Sequence, residues 1–396
     1  MLMNDLTLKP GDTLGLIGGG QLGRMFTQAA QRMGFRVAVI DPDTDCPAAQ
    51  VGSIPIAGRW DDRKTLEKLA QLTNVVTVEF ENIPARSLFY LEKLGVTSRP
   101  GWRSLWVSQN RIREKRFLNR LGCPLPKWCE VRVEKDLERA AQIVGLPLIL
   151  KTAAEGYDGK GQARVETASQ LAEAWQSMGQ RPCVAESLIE FQAELSIIVG
   201  RDQFGGMATH GPMWNHHTHH ILDWSIHPAP FGPVVTTEAN RIARRVVESL
   251  DHVGLMTVEL FLTNDGHLIV NELAPRPHNS GHWSIEGSPT SQFDQQARIL
   301  AGWSVGDTFS SVPACMGNLL GDVWAMGEPV WDLALKNDPG VKLHLYGKTS
   351  PKIGRKMGHL TVIDADPRQA LSRVLKARES LKNNPQQTCK STSQQA

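Results

Sequence analysis

The chain has 396 residues, 41% apolar and 21% charged, a length for two or three domains and a composition that excludes a disordered or membrane class. Its 43 Lys and Arg against 41 Asp and Glu leave a formal net charge of +2, so no global field attracts nucleic acid, and neither nucleic acid nor membrane is an expected partner. Six cysteines (Cys46, Cys123, Cys129, Cys183, Cys315, Cys389) make no C-x-x-C pair; with no signal-peptide pattern and no long apolar run, a reducing cytoplasm is the expected location.

Thr13–Ile17 reads as a buried strand, and Gly18-Gly19-Gly20-Gln21-Leu22-Gly23 as the turn into an amphipathic helix that runs through Met33. Arg36–Ile40 then forms a second strand ending at Asp41. This βαβ opening belongs to a parallel α/β sheet, and its glycine turn lets amides at a helix N-terminus approach a phosphate. Taken alone it also suits an NAD-dependent oxidoreductase resting on Gly18–Gly23 and Asp41. Val75–Val78 is a further strand, ending in Glu79-Phe80-Glu81-Asn82, with Pro84 opening a helix. Polar residues at the carboxyl ends of parallel strands line the crevice, and of the two acids Glu79 is favoured as the one facing a ligand.

Ser108–Leu121 looks helical and carries Arg111, Arg113, Lys115, Arg116 and Arg120, most of them expected on a solvated basic face. Gly122–Pro126 marks a hinge. Pro147–Lys151 is a short apolar strand whose terminal lysine needs an anionic partner. The stretch Ala153–Gln162, with Gly156, Gly159 and Gly161 around Lys160, describes a flap whose amides and ammonium fold over phosphates, without Walker A spacing. Strands at Val184–Ile189 and Glu194–Val199 offer a backbone edge for a base and carboxylates for ribose hydroxyls. His210, His216, His217, His219, His220 and His227 cluster within eighteen residues. A zinc site is disfavoured, because no cysteine is near and paired histidines in such a loop are more often solvated; one of them is expected at the nucleotide.

After a helix at Asn240–His252, the runs Thr257–Leu262 and Leu268–Asn271 flank Asn264-Asp265-Gly266, a tight-hairpin signal. A two-residue Asp265-Gly266 turn would set residues summing to 531 opposite each other, bringing the Cβ atoms of Glu259 and Glu272 roughly 5 Å apart. Paired carboxylates repel unless a cation lies between them, and such oxygen ligands suit Mg²⁺. Asn279 can add a third oxygen and Arg276 a positive charge, whereas a one-residue change in the loop would send the two acids to opposite faces. Ser288–Leu300 is expected as the next helix, Met316–Trp324 and Val341–Leu345 as strands of a small β-rich region, and Pro367–Leu381 as a terminal helix. From Asn383 the chain is polar and expected to be disordered.

The motifs GGGQLGRM (18–25), VEFENIP (78–84), GYDGKGQ (156–162), AESLIEFQAELSI (185–197), ILDWSIHPAP (221–230), NELAPRPHNSGHW (271–283) and YGK with GRKMGHLT (346–361) together resemble the ATP-grasp superfamily. In detail they are similar to its biotin-independent carboxylases of purine biosynthesis. The resemblance implies an α/β fold in four regions: a Rossmann-like pre-ATP-grasp domain (1–115), an ATP-grasp domain (116–310), a small C-terminal β-rich domain (311–382) and a tail (383–396). The implied activity is ATP- and bicarbonate-dependent carboxylation of 5-aminoimidazole ribonucleotide to 5-(carboxyamino)imidazole ribonucleotide through carboxyphosphate. ATP and Mg²⁺, or Mn²⁺ in its place, are the implied cofactors, without biotin, in a cytoplasmic homodimer. A formate-dependent ribonucleotide transformylase is the nearest alternative.

By the same resemblance, ATP is expected at Arg111, Lys151, Gly156, Tyr157, Asp158, Gly159, Lys160, Gly161, Gln162, Glu186, Ser187, Leu188, Ile189, Glu194, His217, Asn271 and Glu272. Metal is expected at Glu259, Glu272 and Asn279. The ribonucleotide is expected at Gly20, Gln21, Leu22, Glu79, Tyr157, Asp158, Arg276, Lys348 and Arg355. Asp158 is the candidate acceptor of the amine proton, with positioning as its other role, and Arg276, Lys348 and Arg355 are candidates for stabilising phosphate. Asn110, Trp214 and His220 depart from the family pattern, the first before Arg111 and the others beside His217.

Overall fold

The computed structural model describes residues 6–154, 156, 161–310 and 312–382. Strands β1 (Thr13–Ile17), β2 (Arg36–Asp41), β3 (Ile54–Ala57), β4 (Val75–Val78) and β5 (Thr97–Ser98) form a parallel sheet of order β3-β2-β1-β4-β5. Strands β1 and β4 are apolar and buried on both faces, as the interior of a parallel sheet requires. The strand order reverses between β1 and β4, so the crevice at their carboxyl ends receives both the glycine turn and Glu79.

Strands β6 (Trp128–Val131), β7 (Leu148–Thr152), β8 (Gln162–Val165) and β9 (Cys183–Ser187) form a small antiparallel sheet of order β6-β9-β7-β8. The third sheet holds β10 (Phe191–Arg201), β11 (Met207–Thr218), β12 (Ile221–His227), β13 (Gly254–Thr263), β14 (Leu268–Ala274), β15 (Ala314–Leu320), β16 (Lys342–Leu345) and β17 (Lys356–Ile363). Its order, β14-β13-β10-β11-β12-β15-β17-β16, runs from the central region into the C-terminal one without a break, through pairs such as Trp224↔Gly317. On one face the helix Gly232–Ser249 buries Ala239, Ile242, Ala243, Val246 and Val247, a stripe at helical spacing, against Val258, Leu260 and Val270. Each fully buried Ile, Val or Leu here contributes roughly 1.5–3 kcal/mol. The helix Gln292–Leu300 instead sends Phe293, Ala297 and Leu300 into the core of the parallel sheet, beside Leu14 and Phe26, and so joins the two regions.

Several element boundaries differ from the sequence reading. The Ser108–Leu121 stretch is not one helix: Trp102–Ser108 and Arg111–Arg120 are separated at Asn110, whose side chain accepts from the amides of Ile112 and Arg113. The helix expected from Asn240 begins eight residues earlier, at Gly232 with Pro233 in its first turn. The one expected from Ser288 begins at Gln292, where Ser291 and Asp294 cap each other's amides. Strand β15 stops at Leu320 and a 3-10 turn covers Gly321–Trp324.

The β13–β14 hairpin corrects the turn assignment. Its loop is not a two-residue turn. Leu262 pairs with Leu268, the Thr263 amide donates to the His267 carbonyl (2.9 Å), and Gly266 takes φ +85°. Near the turn, therefore, paired numbers sum to 530. A bulge then sets Asn271 and Glu272 together against Glu259, after which Val258 faces Leu273 and the sum becomes 531. The core-facing residues of β14 show the same step, falling at Leu268, Val270 and Leu273. Loop and bulge cancel, so Glu259 and Glu272 share a face after all.

Candidate active site

The cavity between the small sheet and the eight-stranded sheet has a volume of about 440 Å³. From the strand ends of the small sheet come Lys151 and Glu186, and from the larger sheet Glu194, His217, Glu259 and Glu272. Glu186 is buried between two ammoniums, Lys151 Nζ at 2.7 Å and Lys115 Nζ at 3.1 Å. Burial alone would push its pKa up, but the charges of Lys115 and Lys151 and their hydrogen bonds hold it at about 2. The anion that Lys151 requires is thus supplied within the protein.

Lys115 is a correction to the solvated basic face. It is fully buried, and its Nζ also donates to the Asn271 carbonyl at 2.9 Å. Next to it, Glu114 accepts from the Leu273 amide at 2.9 Å; burial raises its pKa to about 7 against the pull of Lys115 and Arg111. Arg111 Nη1 reaches Glu272 Oε2 at 2.9 Å. Arg111, Glu114 and Lys115 stand at i, i+3 and i+4, so one helix face carries the contacts that fasten β14. That spacing was visible in the sequence; the burial was not.

Of the nucleotide residues, Gly156, Gln162, Ser187, Leu188, Ile189 and Asn271 line the same cavity as the charged groups already named. The Gly161 carbonyl accepts from the Thr152 amide at 2.8 Å, and Gly161 does not line the cavity. Tyr157, Asp158, Gly159 and Lys160 lie outside the described residues, as does the expected tail from Asn383. The histidine cluster divides. His210 is buried and bonds the Thr290 carbonyl, and His216 stacks on Trp224 at 5.0 Å. His217 ion-pairs with Glu194, which raises its pKa despite the opposing effect of burial. His219 and His220 form a left-handed turn, and His220 also lines the cavity.

Glu259, Glu272 and Asn279 all border this cavity. His278 Nε2 lies 2.9 Å from Glu259 Oε1; burial pushes the carboxyl up, but the bond and charge of His278, with the charges of His217 and Arg276, hold it at about 2. The buried amide nitrogen of Asn279 has no hydrogen-bond partner among the described residues, so nothing there fixes that amide away from a ligand. No group of three His, Cys, Asp or Glu among the described residues is gathered closely enough to hold an ion unaided. Mg²⁺ does not require one, since one or two carboxylates with phosphate and water oxygens suffice. Two carboxylates and an amide therefore fit it.

The glycine turn departs from expectation. Gly20, Gln21 and Leu22 open the helix Gln21–Arg32, but the carboxylate of Glu79 accepts from the Gly20 amide and from the Leu22 amide (3.2 Å). Asp41 takes the Gly19 amide at 2.8 Å. Unpaired amides at a helix N-terminus draw the nearest carboxylates, and here those are Asp41 at the end of β2 and Glu79 just after β4. A Cβ on Gly20 would stand 2.3 Å from Glu79 Oε1, so any side chain there would have to displace that carboxylate from the turn. From the C-terminal region the Gly347 carbonyl accepts from Gln50 Nε2 at 3.1 Å, seating the Tyr346–Lys348 loop on the parallel sheet. Lys348 Nζ donates to the Lys356 carbonyl at 2.9 Å; burial and the charge of Arg355 bring its pKa down to about 8, with Glu79 acting in the other direction. Arg355, which precedes β17, is exposed and donates to the Ser350 carbonyl at 2.8 Å, whereas Lys356, the first residue of β17, lines the cavity. Arg276 lines the cavity and is ion-paired to Glu81, the acid that the sequence reading passed over in favour of Glu79. Strand β4 stops at Val78, so both acids lie beyond it and period-two alternation could not choose between them.

Two antiparallel sheets closing on a cavity lined by Lys, Glu and His define an ATP-grasp protein, and residues 116–293 match the ATP-grasp domain family. Residues 12–109 match the ribonucleotide synthetase preATP-grasp domain and 314–373 the phosphoribosylaminoimidazole carboxylase C-terminal domain. The chain is 40% identical over 359 residues to the N5-carboxyaminoimidazole ribonucleotide synthase of Bacillus subtilis (strain 168), covering 91% of this chain and 93% of that one. It is similar to the crystal structure of N5-carboxyaminoimidazole synthetase from Staphylococcus aureus complexed with ADP, with a TM-score of 0.87, 36% identity and coverage of 94% and 98%. The Aspergillus clavatus synthase in complex with ADP and 5-aminoimidazole ribonucleotide gives a TM-score of 0.84 at 28% identity, with coverage of 94% and 99%. The chain belongs to the N5-carboxyaminoimidazole ribonucleotide synthase family.

Proposed function

We propose that the chain is a carbon–nitrogen ligase that uses ATP and bicarbonate to carboxylate the exocyclic amine of 5-aminoimidazole ribonucleotide. The observation that carries this reading is the convergence of Glu259, Glu272 and Asn279 with Arg111, Lys151 and Arg276 on one cavity. A bicarbonate oxygen attacks the γ-phosphorus of ATP, the bond to ADP breaks, and carboxyphosphate forms. The amine then attacks the carboxyl carbon, the C–O bond to phosphate breaks, and the amine gives up a proton. Such phosphoryl transfer depends on positioning and electrostatics more than on covalent help from the protein. Arg111 and Lys151, with the flap residues Gly156–Gln162, hold the nucleotide phosphates. Glu186–Ile189 meets the base, and Glu194 and His217 meet the ribose. Glu259 and Glu272, with Asn279, would hold Mg²⁺, or Mn²⁺ in its place, which when bound neutralises charge on the β- and γ-phosphates. Arg276 faces carboxyphosphate and the departing phosphate. Gly20–Leu22, Glu79, Tyr157, Lys348 and Arg355 receive the ribonucleotide, and Asp158 takes the amine proton. The NAD-dependent reading rested on this turn, and residues 12–109 match a ribonucleotide synthetase preATP-grasp domain instead.

Family membership supports a cytoplasmic homodimer acting in purine biosynthesis, with a solution mass twice the 43.7 kDa of one chain. Among the described residues no helix is long and apolar enough to cross a membrane. The decisive experiment measures ADP release with bicarbonate, with and without aminoimidazole ribonucleotide, on wild type and Glu272→Gln. Wild type is expected to release ADP in a bicarbonate-dependent way, faster with the ribonucleotide. The variant should lose ADP formation by about 10²-fold or more while staying folded. Formate replacing bicarbonate would instead make the chain a transformylase.

A further inference from the structure

We infer that Glu81 is a positioning residue: carried on the segment after β4, it fixes the guanidinium of Arg276, so that the region receiving the ribonucleotide sets the geometry of the region where the phosphoryl group moves. This rests on the function proposed above and goes beyond it by linking the two sites through one short segment.

Three observations carry the inference. First, Arg276 Nε is bonded to Glu81 Oε2 while Nη1 donates to the Pro277 carbonyl at 3.0 Å. Among the described residues, the carboxylate ion-paired with this guanidinium therefore comes from the segment after β4, 195 residues away in sequence. Both side chains are partly buried and both border the cavity. Second, the segment bearing Glu81 is itself fastened. Gln109 Nε2 donates to the Glu81 carbonyl at 2.7 Å and to the Ile83 carbonyl, and Asn110, the next residue, caps the helix that begins with Arg111. Third, Glu79 lies two residues before Glu81 and is committed in the other direction, to the amides of Gly20 and Leu22. The run Glu79-Phe80-Glu81 thus holds one acid on each site, and a ligand that shifts Glu79 from the glycine turn pulls on the chain that anchors Arg276.

The pair is charged throughout any working range. Burial pushes the Glu81 carboxyl up, yet the charge and bond of Arg276 hold it at about 2. An arginine fork released from its carboxylate samples other rotamers, and a misplacement of about 1 Å at a reacting centre costs on the order of 10²-fold in rate.

The test compares full-length wild type, Glu81→Gln, Arg276→Lys and the double variant in bicarbonate-dependent ADP release with saturating aminoimidazole ribonucleotide. Glu81→Gln is expected to lower kcat by about 10²-fold with KM for MgATP within about 3-fold, since the nucleotide contacts are untouched. In the Arg276→Lys background the same change should cost less than about 3-fold, because a residue acting only through Arg276 has nothing left to position. Full additivity in the double variant, or unchanged kcat in Glu81→Gln, overturns the inference. If thermal denaturation shows Glu81→Gln to be poorly folded, Glu81→Asp, which keeps the charge and shortens the reach, takes its place with the same two criteria. Wild type lacking bicarbonate-dependent ADP release would instead defeat the proposed function, so the two failures are distinguishable.

Discussion

Lys348 illustrates how a residue's surroundings decide what its charge can do. Its ammonium sits among burial, Arg355 and Glu79, and the first two bring its pKa down to about 8, from 10.5 for an ordinary lysine. If that ammonium receives the ribonucleotide phosphate, kcat/KM for the ribonucleotide should fall as pH rises through about 8. Stability moves the other way. Between about 8 and 10.5 the unfolded chain holds a proton on Lys348 that the folded chain has lost, so this residue's contribution to stability rises with pH across that window. Lys348→Arg, with a guanidinium that stays charged, is expected to remove the alkaline limb from a pH–rate profile measured at low ribonucleotide concentration. A limb that persists unchanged in the variant would assign the titration to another group.

Among the elements, the β13–β14 hairpin shows how a wrong local step can lead to the right juxtaposition. The signal Asn264-Asp265-Gly266 correctly marks a turn, but Thr263 Oγ1, accepting from the His267 amide at 3.0 Å, lengthens the loop. The bulge at Asn271 and Glu272 restores the register, and no local propensity announces it. Other elements were legible because one rule governed them: the βαβ opening from its glycine turn, and the helix Pro367–Ser380 from its proline and apolar spacing. Lys115 was hidden because a helix rich in Arg and Lys looks solvated until β9 and β14 are brought against it. Gly266 gives a clean test of the turn. A Cβ there meets nothing within 4 Å, so Gly266→Ala carries only the backbone cost of φ +85°, about 1–2 kcal/mol. A thermal midpoint lower by about 1–3 °C with ADP formation preserved at 25 °C is expected, because Leu268, Val270 and Leu273 hold the register of β14 from the core. Loss of ADP formation in a folded variant would mean that the turn, not the core, places Glu272.

At the scale of the molecule, the C-terminal region is part of the large sheet and cannot be treated as an appendage. The sequence shows three motif-bearing regions, but strand pairing across distant segments leaves no local mark, and so the continuity from β12 into β15 was not legible. The consequence is physical. Removing everything after Ser310 strips β15–β17 and the helix Pro367–Ser380 from β12, whose Leu222, Trp224 and Ile226 are buried in the whole chain. The exposed edge would present unpaired amides and carbonyls alternating with large apolar side chains, the combination that templates aggregation. The cavity would also lose Lys356, and the parallel sheet the Tyr346–Lys348 loop. A chain ending at residue 310 is therefore expected to be insoluble or to elute as large aggregates, and not as a compact ATP-binding fragment. Size-exclusion chromatography with light scattering and an ATP titration decides the matter. A monodisperse fragment that binds ATP would show that the large sheet can end at β12, leaving the C-terminal strands as a separable carrier of Lys348.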